Sequence, residues 1–268
     1  MPSLSEVCTP RPTGEHYQLD VAPGWQQGRG AFGGLVIGAL IRAIEHRTAD
    51  PTRKLRSVTA ELPGAVEPGT VDITVETLRQ GKNLSAVRAA LTQAGEVRSH
   101  AVAILAASRA SARSMAWNEL TPPVVPPWTE IEPRAHGPQA AGAWPQFAQQ
   151  FEYRVVEGLP GAGGPARTMG WVRPRDPGPE RDTAYLAAMI DAWWPAVLAR
   201  FTAFRPIATI AYTLDIVGGL DGLDPTAPLI YRAVVPVCAD GYFLETRELW
   251  GEDGRLVAIN QQTFAIIQ

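Results

Sequence analysis

Apolar and polar positions follow two rhythms along this chain, and both rhythms recur in the same order twice. Residues 28–47 (GRGAFGGLVIGALIRAIEHR) read as a glycine-rich turn leading into a helix that is apolar on nearly every side. Four stretches follow, 55–62, 70–81, 83–95 and 96–107, in which branched or aromatic residues alternate with small or polar ones. Alternation with a period of two predicts half-buried antiparallel strands. Residues 183–201 (TAYLAAMIDAWWPAVLARF) repeat the apolar helix, and 206–217, 227–241, 242–254 and 255–268 repeat the strands. A sheet of this kind can curl around one apolar helix, an α+β unit. Two such units cover the surfaces that each alone would leave exposed.

The register of the repeat can be read by subtraction. Gly81 and Gly241 each separate the second strand of a half from the third, and Gly95 and Gly254 each fall in the next hairpin turn. Gly33 and Asp191 are expected to hold matching positions in the two helices. The chain is therefore expected to be an internal duplication, with an N-terminal unit at 1–108 and a C-terminal unit at 147–268. Residues 109–146 contain TPPVVPPW and EPRAHGPQAAGAWP. So many prolines block helix and central strand alike, which predicts a linker crossing a surface.

Composition narrows the function. The 268 residues suffice for a stable core, and the formal net charge is −3 with basic residues scattered, which argues against a nucleic-acid partner. The start MPSLSEVCTPRPTGEHY has no cationic segment followed by an apolar run, and the longest apolar stretch is too short to span a bilayer. Cys8 and Cys238 stand far apart, so no disulfide framework is expected and a reducing, cytoplasmic setting fits. His16, His46, His100 and His136 show no ligand spacing, and neither a phosphate loop nor a nucleophile elbow occurs. No metal or other cofactor is expected.

The candidate chemistry lies where the halves differ. Asp191 sits in an apolar helix, where a carboxylate is costly unless partners hold it. Four residues on, Pro195 cannot donate to the Asp191 carbonyl, so the helix should kink or open there. The bland alternative is that Asp191 caps the helical segment ending at Ala199-Arg200. Gln262 on the last strand shares a face with Ala258, Asn260 and Phe264, and its counterpart in the first half is Ala103. Thr209 lies on the strand after the second helix.

These residues resemble the double-hotdog acyl-CoA thioesterases, of the acyl-CoA thioesterase II type, over nearly the whole chain. In the first half the likeness rests on Phe32-Gly33-Gly34 and on Arg79, Gly81, Ser85 and Arg88. In the second half it rests on Trp171-Val172-Arg173, Asp191 with Pro195, Ala208-Thr209-Ile210 and DGRLVAINQQ at 253–262. The linker and the insertion GLDGLDPTAP (219–228) stand outside the family pattern, as do the adjacent Trp193 and Trp194.

The resemblance implies a tandem (double) hotdog fold and hydrolysis of acyl-CoA to free acid and CoA, an activity of lipid metabolism. It implies a catalytic set of Asp191, Thr209 and Gln262, with Asp191 as base and the other two fixing the attacking water. Backbone N–H groups at Gly33 and Gly34 would polarise the thioester carbonyl. Trp193, Trp194, Phe201, Phe204 and Phe264 are candidates for the acyl wall, each of them equally readable as core. Antiparallel sheets with free edges often pair further, so a homo-oligomer is compatible with the pattern, which does not itself fix the oligomeric state. The alternatives are a hotdog hydratase or dehydratase, which needs a protonatable group such as histidine where the second half has none, and a protein that only binds acyl-CoA or an acyl carrier.

Overall fold

A computed structural model describes residues 2–109, 117–134, 144–203, 205–216, 220, 224 and 226–267. His136, Phe204, two stretches of the linker and half of the 219–228 insertion lie outside the described residues. A short helix α1 (Leu4–Val7) and strands β1 (Arg11–Thr13) and β2 (His16–Val21) precede a small ribbon, β3 (Gln26–Gln27) and β4 (Gly30–Ala31). Helix α2 (Gly33–Thr48) is followed by β5 (Arg53–Glu61), β6 (Gly69–Gln80), β7 (Leu84–Gln93) and β8 (Glu96–Ala107). The second half comprises β9 (Phe151–Glu157), β10 (Arg167–Pro174), helix α3 (Thr183–Asp191), β11 (Ile207–Ile216), β12 (Leu229–Ala239), β13 (Tyr242–Trp250) and β14 (Leu256–Ile266).

Twelve strands form one antiparallel sheet in the order β1-β2-β6-β7-β8-β5-β11-β14-β13-β12-β10-β9. The order is a palindrome of two six-stranded halves joined where β5 pairs with β11. Thr59 lies opposite Thr213 at that seam, their hydroxyls 3.3 Å apart. The two helices pack against each other inside the curl, α2 on β6, β7 and β8, and α3 on β10, β13 and β14. This is the tandem hotdog that the sequence pattern and the family resemblance led us to expect.

Strand register carries the duplication to single residues. Val58 pairs with Ala103 and Tyr212 with Gln262, so Gln262 is the counterpart of Ala103. Each half also carries a bulge at the matching place, between Leu55 and Ser57 in β5 and between Thr209 and Ala211 in β11. The helices follow a different offset. Their N-caps are Phe32 and Asp182, 150 positions apart. A Cβ placed at Gly34 would meet Ala188, and one at Gly38 would meet Ala184, a reciprocity that the same offset produces about a two-fold axis. The matching of Gly33 with Asp191 is therefore corrected: Asp191 corresponds to Ile41, and Gly33 faces Asp191 across the helix pair. The halves differ in length between helix and strand, and the subtraction ran across that difference.

The second helix is also shorter than the apolar run suggested. Asp182 caps its start by accepting from the Tyr185 N–H at 2.8 Å, and α-helical structure stops at Asp191. Pro195 has no N–H for the Asp191 carbonyl, and the chain resumes as a 3-10 turn at Ala196–Ala199. Helix α2 continues through the matching region to Thr48.

The described part of the linker runs over the outer face of the second half. There Val125, Trp128 and Ile131 pack on Trp171, Ile230, Trp250 and Leu256. Trp128 lies under the guanidinium groups of Arg154 and Arg173, at 4.1 and 4.7 Å from its ring centroid.

Candidate functional site

The end of α3, the adjoining strands and the first turn of α2 bring Asp191, Gln262 and Thr209 together. One carboxylate oxygen of Asp191, Oδ2, accepts the Gly34 N–H at 2.8 Å. The other, Oδ1, accepts Gln262 Nε2 at 2.8 Å and Arg247 Nη1 at 3.0 Å. Thr209 Oγ1 donates to Gln262 Oε1 at 3.3 Å.

Phe32, the N-cap of α2, offers no side-chain cap, and the first turn of any helix has backbone N–H groups without intrahelical partners. Asp191 fills that role from the other half. Asp191 thus caps α2, and not the segment after Pro195 that the alternative reading gave it. Glycine is required for this approach, because a Cβ on Gly33 would lie 2.9 Å from Asp191 Oδ2.

Thr209 reaches the site through the β11 bulge. Three positions separate it from the inward-facing Tyr212, so strict alternation would turn it outward. The extra residue at Ile210 restores it to the inner face, opposite Phe264, while Ile210 itself points to solvent. Thr209 remains half-buried, whereas Gln262 is completely buried. Both amide protons of Gln262 are engaged, one by Asp191 and the other by Asn260 Oδ1 at 2.9 Å. The amide protons of Gln262 are thus spent on the carboxylate and on Asn260.

Two charged residues complete the cluster and were not among the expected site residues. Arg247 Nε donates to Glu245 Oε1 at 2.7 Å, and Arg247 Nη1 also donates to the Ile190 carbonyl at 3.1 Å. Glu245 Oε2 accepts the Ala196 N–H at 2.7 Å. Their exposures are 1% for Arg247 and 0% for Glu245. The register that pairs Glu245 with Gln262 and Arg247 with Asn260 pairs Val87 with Ala103 and Ala89 with Ala101 in the first half. Four buried polar residues thus stand where the other half has four buried apolar ones. The subtraction that sets Gln262 against Ala103 runs at an offset of 159 and would set Arg247 against Arg88, so it misses the pair; the neighbouring strand is offset by 158.

Burial raises the pKa of Asp191 above the ordinary carboxylate value, opposed by the Arg247 charge and by hydrogen bonds from Gln262, Gly34 and Arg247. Glu245 is raised for the same first reason, opposed by Arg247 and the Ala196 N–H. With both carboxylates ionised, the cluster holds two negative charges against one guanidinium.

Asp191, at 8% exposure, opens onto a cavity of about 670 Å³. Thr209 and Arg247 also line it, and Trp193, Trp194, Phe201 and Phe264 form part of its wall. Trp193 is fixed by a hydrogen bond to Thr168 Oγ1 at 2.8 Å and stacks on Tyr231, and Trp194 Nε1 donates to the Gly158 carbonyl at 3.0 Å. From the linker, Trp144 packs edge-on against Trp194. Arg134 and Arg205 are exposed lining residues.

Fold and site together define a tandem hotdog chain whose polar cluster is confined to one half. A family model described as the acyl-CoA thioesterase N-terminal domain matches residues 21–110, and one described as the acyl-CoA thioesterase C-terminal domain matches residues 123–266. The chain belongs to this acyl-CoA thioesterase family. A sequence comparison with curated proteins gave no match.

Among solved structures, a hot dog fold protein of unknown function from Alicyclobacillus acidocaldarius superposes with a TM-score of 0.87 at 22% identity, covering 100% of this chain and 99% of that one. The acyl-CoA thioesterase II TesB2 from Mycobacterium marinum gives 0.76 at 20% identity, with 99% and 98% covered. The tesB protein of Mycobacterium avium subspecies paratuberculosis gives 0.71 at 20% identity, again with 99% and 98% covered. At these identities the likeness is one of fold. No helix among the described residues is long and apolar enough to cross a membrane.

Proposed function

We propose that the chain hydrolyses acyl-CoA thioesters to free acid and CoA, with Asp191 as general base. The observation that carries this reading is a buried carboxylate at a helix break, held by three donors at the wall of a cavity, in only one of two duplicated halves. Oδ2 accepts a single hydrogen bond from Gly34, and its second lone pair suits a water on the cavity side.

In the proposed step that water attacks the thioester carbonyl carbon while its proton passes to Asp191. The tetrahedral intermediate then collapses with cleavage of the carbon–sulfur bond, and the departing thiolate takes up the proton held by Asp191, which restores the carboxylate. Base assistance of this kind supplies ~10²–10⁴-fold. Thr209, half-buried in the cavity wall, contacts the water, and Gln262 keeps the carboxylate in orientation. The Gly34 N–H is engaged by Asp191, which leaves Gly33, at the first position of α2, as the N–H to polarise the carbonyl.

The acyl group would lie against Trp194, Phe201 and Phe264, and the exposed Arg134 and Arg205 would meet the phosphates of CoA. We assign the catalytic unit to 147–268, the companion unit to 1–108 and the linker to 109–146. Cys8 and Cys238, both free thiols, fit a cytoplasmic setting.

The test is thiol release from a panel of acyl-CoA esters, short to long and linear to aromatic, comparing wild type with Asp191→Ala. Turnover of one class by wild type, lost in a folded variant, supports the reading. Binding of the esters without thiol release from either protein sinks it in favour of a binding protein.

A further inference from the structure

Asp191 ends the α-helical part of α3, and a helix break beside a base is a poor platform unless something bridges it. We infer that Glu245 and Arg247 are positioning residues that bridge this break and fix the place and charge of Asp191. This rests on the reading of Asp191 given above. Arg247 holds the near side through the Ile190 carbonyl at 3.1 Å and Asp191 Oδ1 at 3.0 Å. Glu245 holds the far side through the Ala196 N–H at 2.7 Å, and joins the two sides through Arg247 Nε at 2.7 Å. In the first half α2 runs unbroken through the matching region, and Val87 and Ala89 occupy the corresponding strand positions. The ion pair and the break thus occur together, in the half that carries the carboxylate.

Other groups face Asp191 as well. Strand β14 presents the uncharged Gln262 and Asn260, and α2 presents the Gly34 N–H. The phenols of Tyr153, Tyr212 and Tyr231 approach from β9, β11 and β12, and burial pushes all three upward so that they stay neutral. Arg247 is thus the positive charge in contact with the carboxylate, and Glu245 the negative charge that Arg247 also balances.

A purely structural strut would affect folding alone, so the test reads catalysis as a function of pH. Glu245→Val with Arg247→Ala installs the first half's residues and removes both charges, a replacement that buried ion pairs often tolerate. Arg247→Gln and Arg247→Lys serve as single variants. For the double variant the expected result is cooperative unfolding, a kcat lower by on the order of 10²-fold and a nearly unchanged KM. The acid limb of its pH–rate profile should move upward by about one unit or more, because the carboxylate has lost its cationic partner. Arg247→Gln should show the same upward movement, while Arg247→Lys should keep the limb near its wild-type place.

A folded double variant with wild-type kcat and limb overturns the inference. So does identical behaviour of the Gln and Lys variants, which decides the matter if the double variant does not fold. Asp191→Asn, assayed alongside, separates the two failures. Turnover that survives this change refutes Asp191 as base, whereas turnover lost there with an unmoved limb in the Arg247 variants refutes only the positioning role.

Discussion

Replacing Gly33 by alanine perturbs the site by a distance that can be worked out. The added Cβ would lie 2.9 Å from Asp191 Oδ2, against an ordinary contact of at least 3.4 Å, while Leu62 at 3.6 Å is far enough to stay put. The carboxylate must therefore retreat by roughly half an ångström, since the methyl sits on the rigid start of α2. Its Oδ1 is tied to Gln262 and Arg247, so the retreat strains the 2.8 Å bond from the Gly34 N–H. A misplacement of about 1 Å costs on the order of 10²-fold in rate, so half of that gives a loss of roughly tenfold, or about 1.4 kcal/mol of barrier.

Stability should hardly change in Gly33→Ala, because the lost chain entropy of glycine offsets a small side-chain movement. Gly34→Ala is the contrasting variant. Its Cβ would meet Phe32 Cε2 at 2.5 Å and the backbone Ala188 Cα at 2.8 Å, so the helices themselves must part. Overpacking of that kind costs about 1–3 kcal/mol, which lowers the melting temperature by several degrees. Thiol-release kinetics together with thermal melts on both variants give the check. Wild-type kcat in Gly33→Ala would refute the claim that turnover depends on where this carboxylate sits.

Asp191→Asn should destabilise the protein by about 1–3 kcal/mol, as read from urea unfolding, because Gly34, Gln262 and Arg247 all donate to this carboxylate and the amide nitrogen of Asn must face one of these donors. The raised pKa works the other way and offsets part of that cost: the folded state binds this proton more tightly than the unfolded chain, so stability from Asp191 is present below the unfolded carboxylate pKa and is lost as pH rises through the folded one. A neutral amide escapes that loss and leaves Glu245 paired with Arg247. For the same reason the acid limb of kcat/KM in the wild type should lie above the ordinary carboxylate range, and a limb at or below it would contradict the burial argument. Thr209→Val removes the hydroxyl that donates to Gln262 Oε1 and should lower kcat about tenfold with little change in melting temperature. Trp194→Leu widens the cavity beside Asp191 and should move the preferred acyl-CoA toward longer or bulkier chains, measured as ratios of kcat/KM across the panel.

Much of the fold was legible because the chain states it twice. Strand alternation and the hairpin glycines Gly81, Gly95, Gly241 and Gly254 carry the register, and Ala103 against Gln262 follows from it. Asp191, Thr209 and Gln262 could all be named, since a lone carboxylate in an apolar helix must have partners and the family resemblance supplied the other two. What stayed hidden depends on single-residue slips that pattern cannot see. The β11 bulge at Ile210 reverses the facing of Thr209, and no run of alternating residues announces it. The change of offset between helices and strands turned two residues that face each other, Gly33 and Asp191, into apparent equivalents. Glu245 and Arg247 looked like an ordinary polar stretch of a strand, because the sheet curls their side chains inward and only the opposing carboxylate explains their burial.

The most direct measurement of the central claim is single-variant turnover: thiol release by wild type and Asp191→Asn on the best acyl-CoA ester of the panel, at a pH where wild type is fully active. A loss on the order of 10²–10⁴-fold in a protein that still melts cooperatively above the assay temperature is the expected result for a general base. Undiminished turnover in the folded Asn variant would contradict it, and would place the chemistry of this chain somewhere other than the helix break.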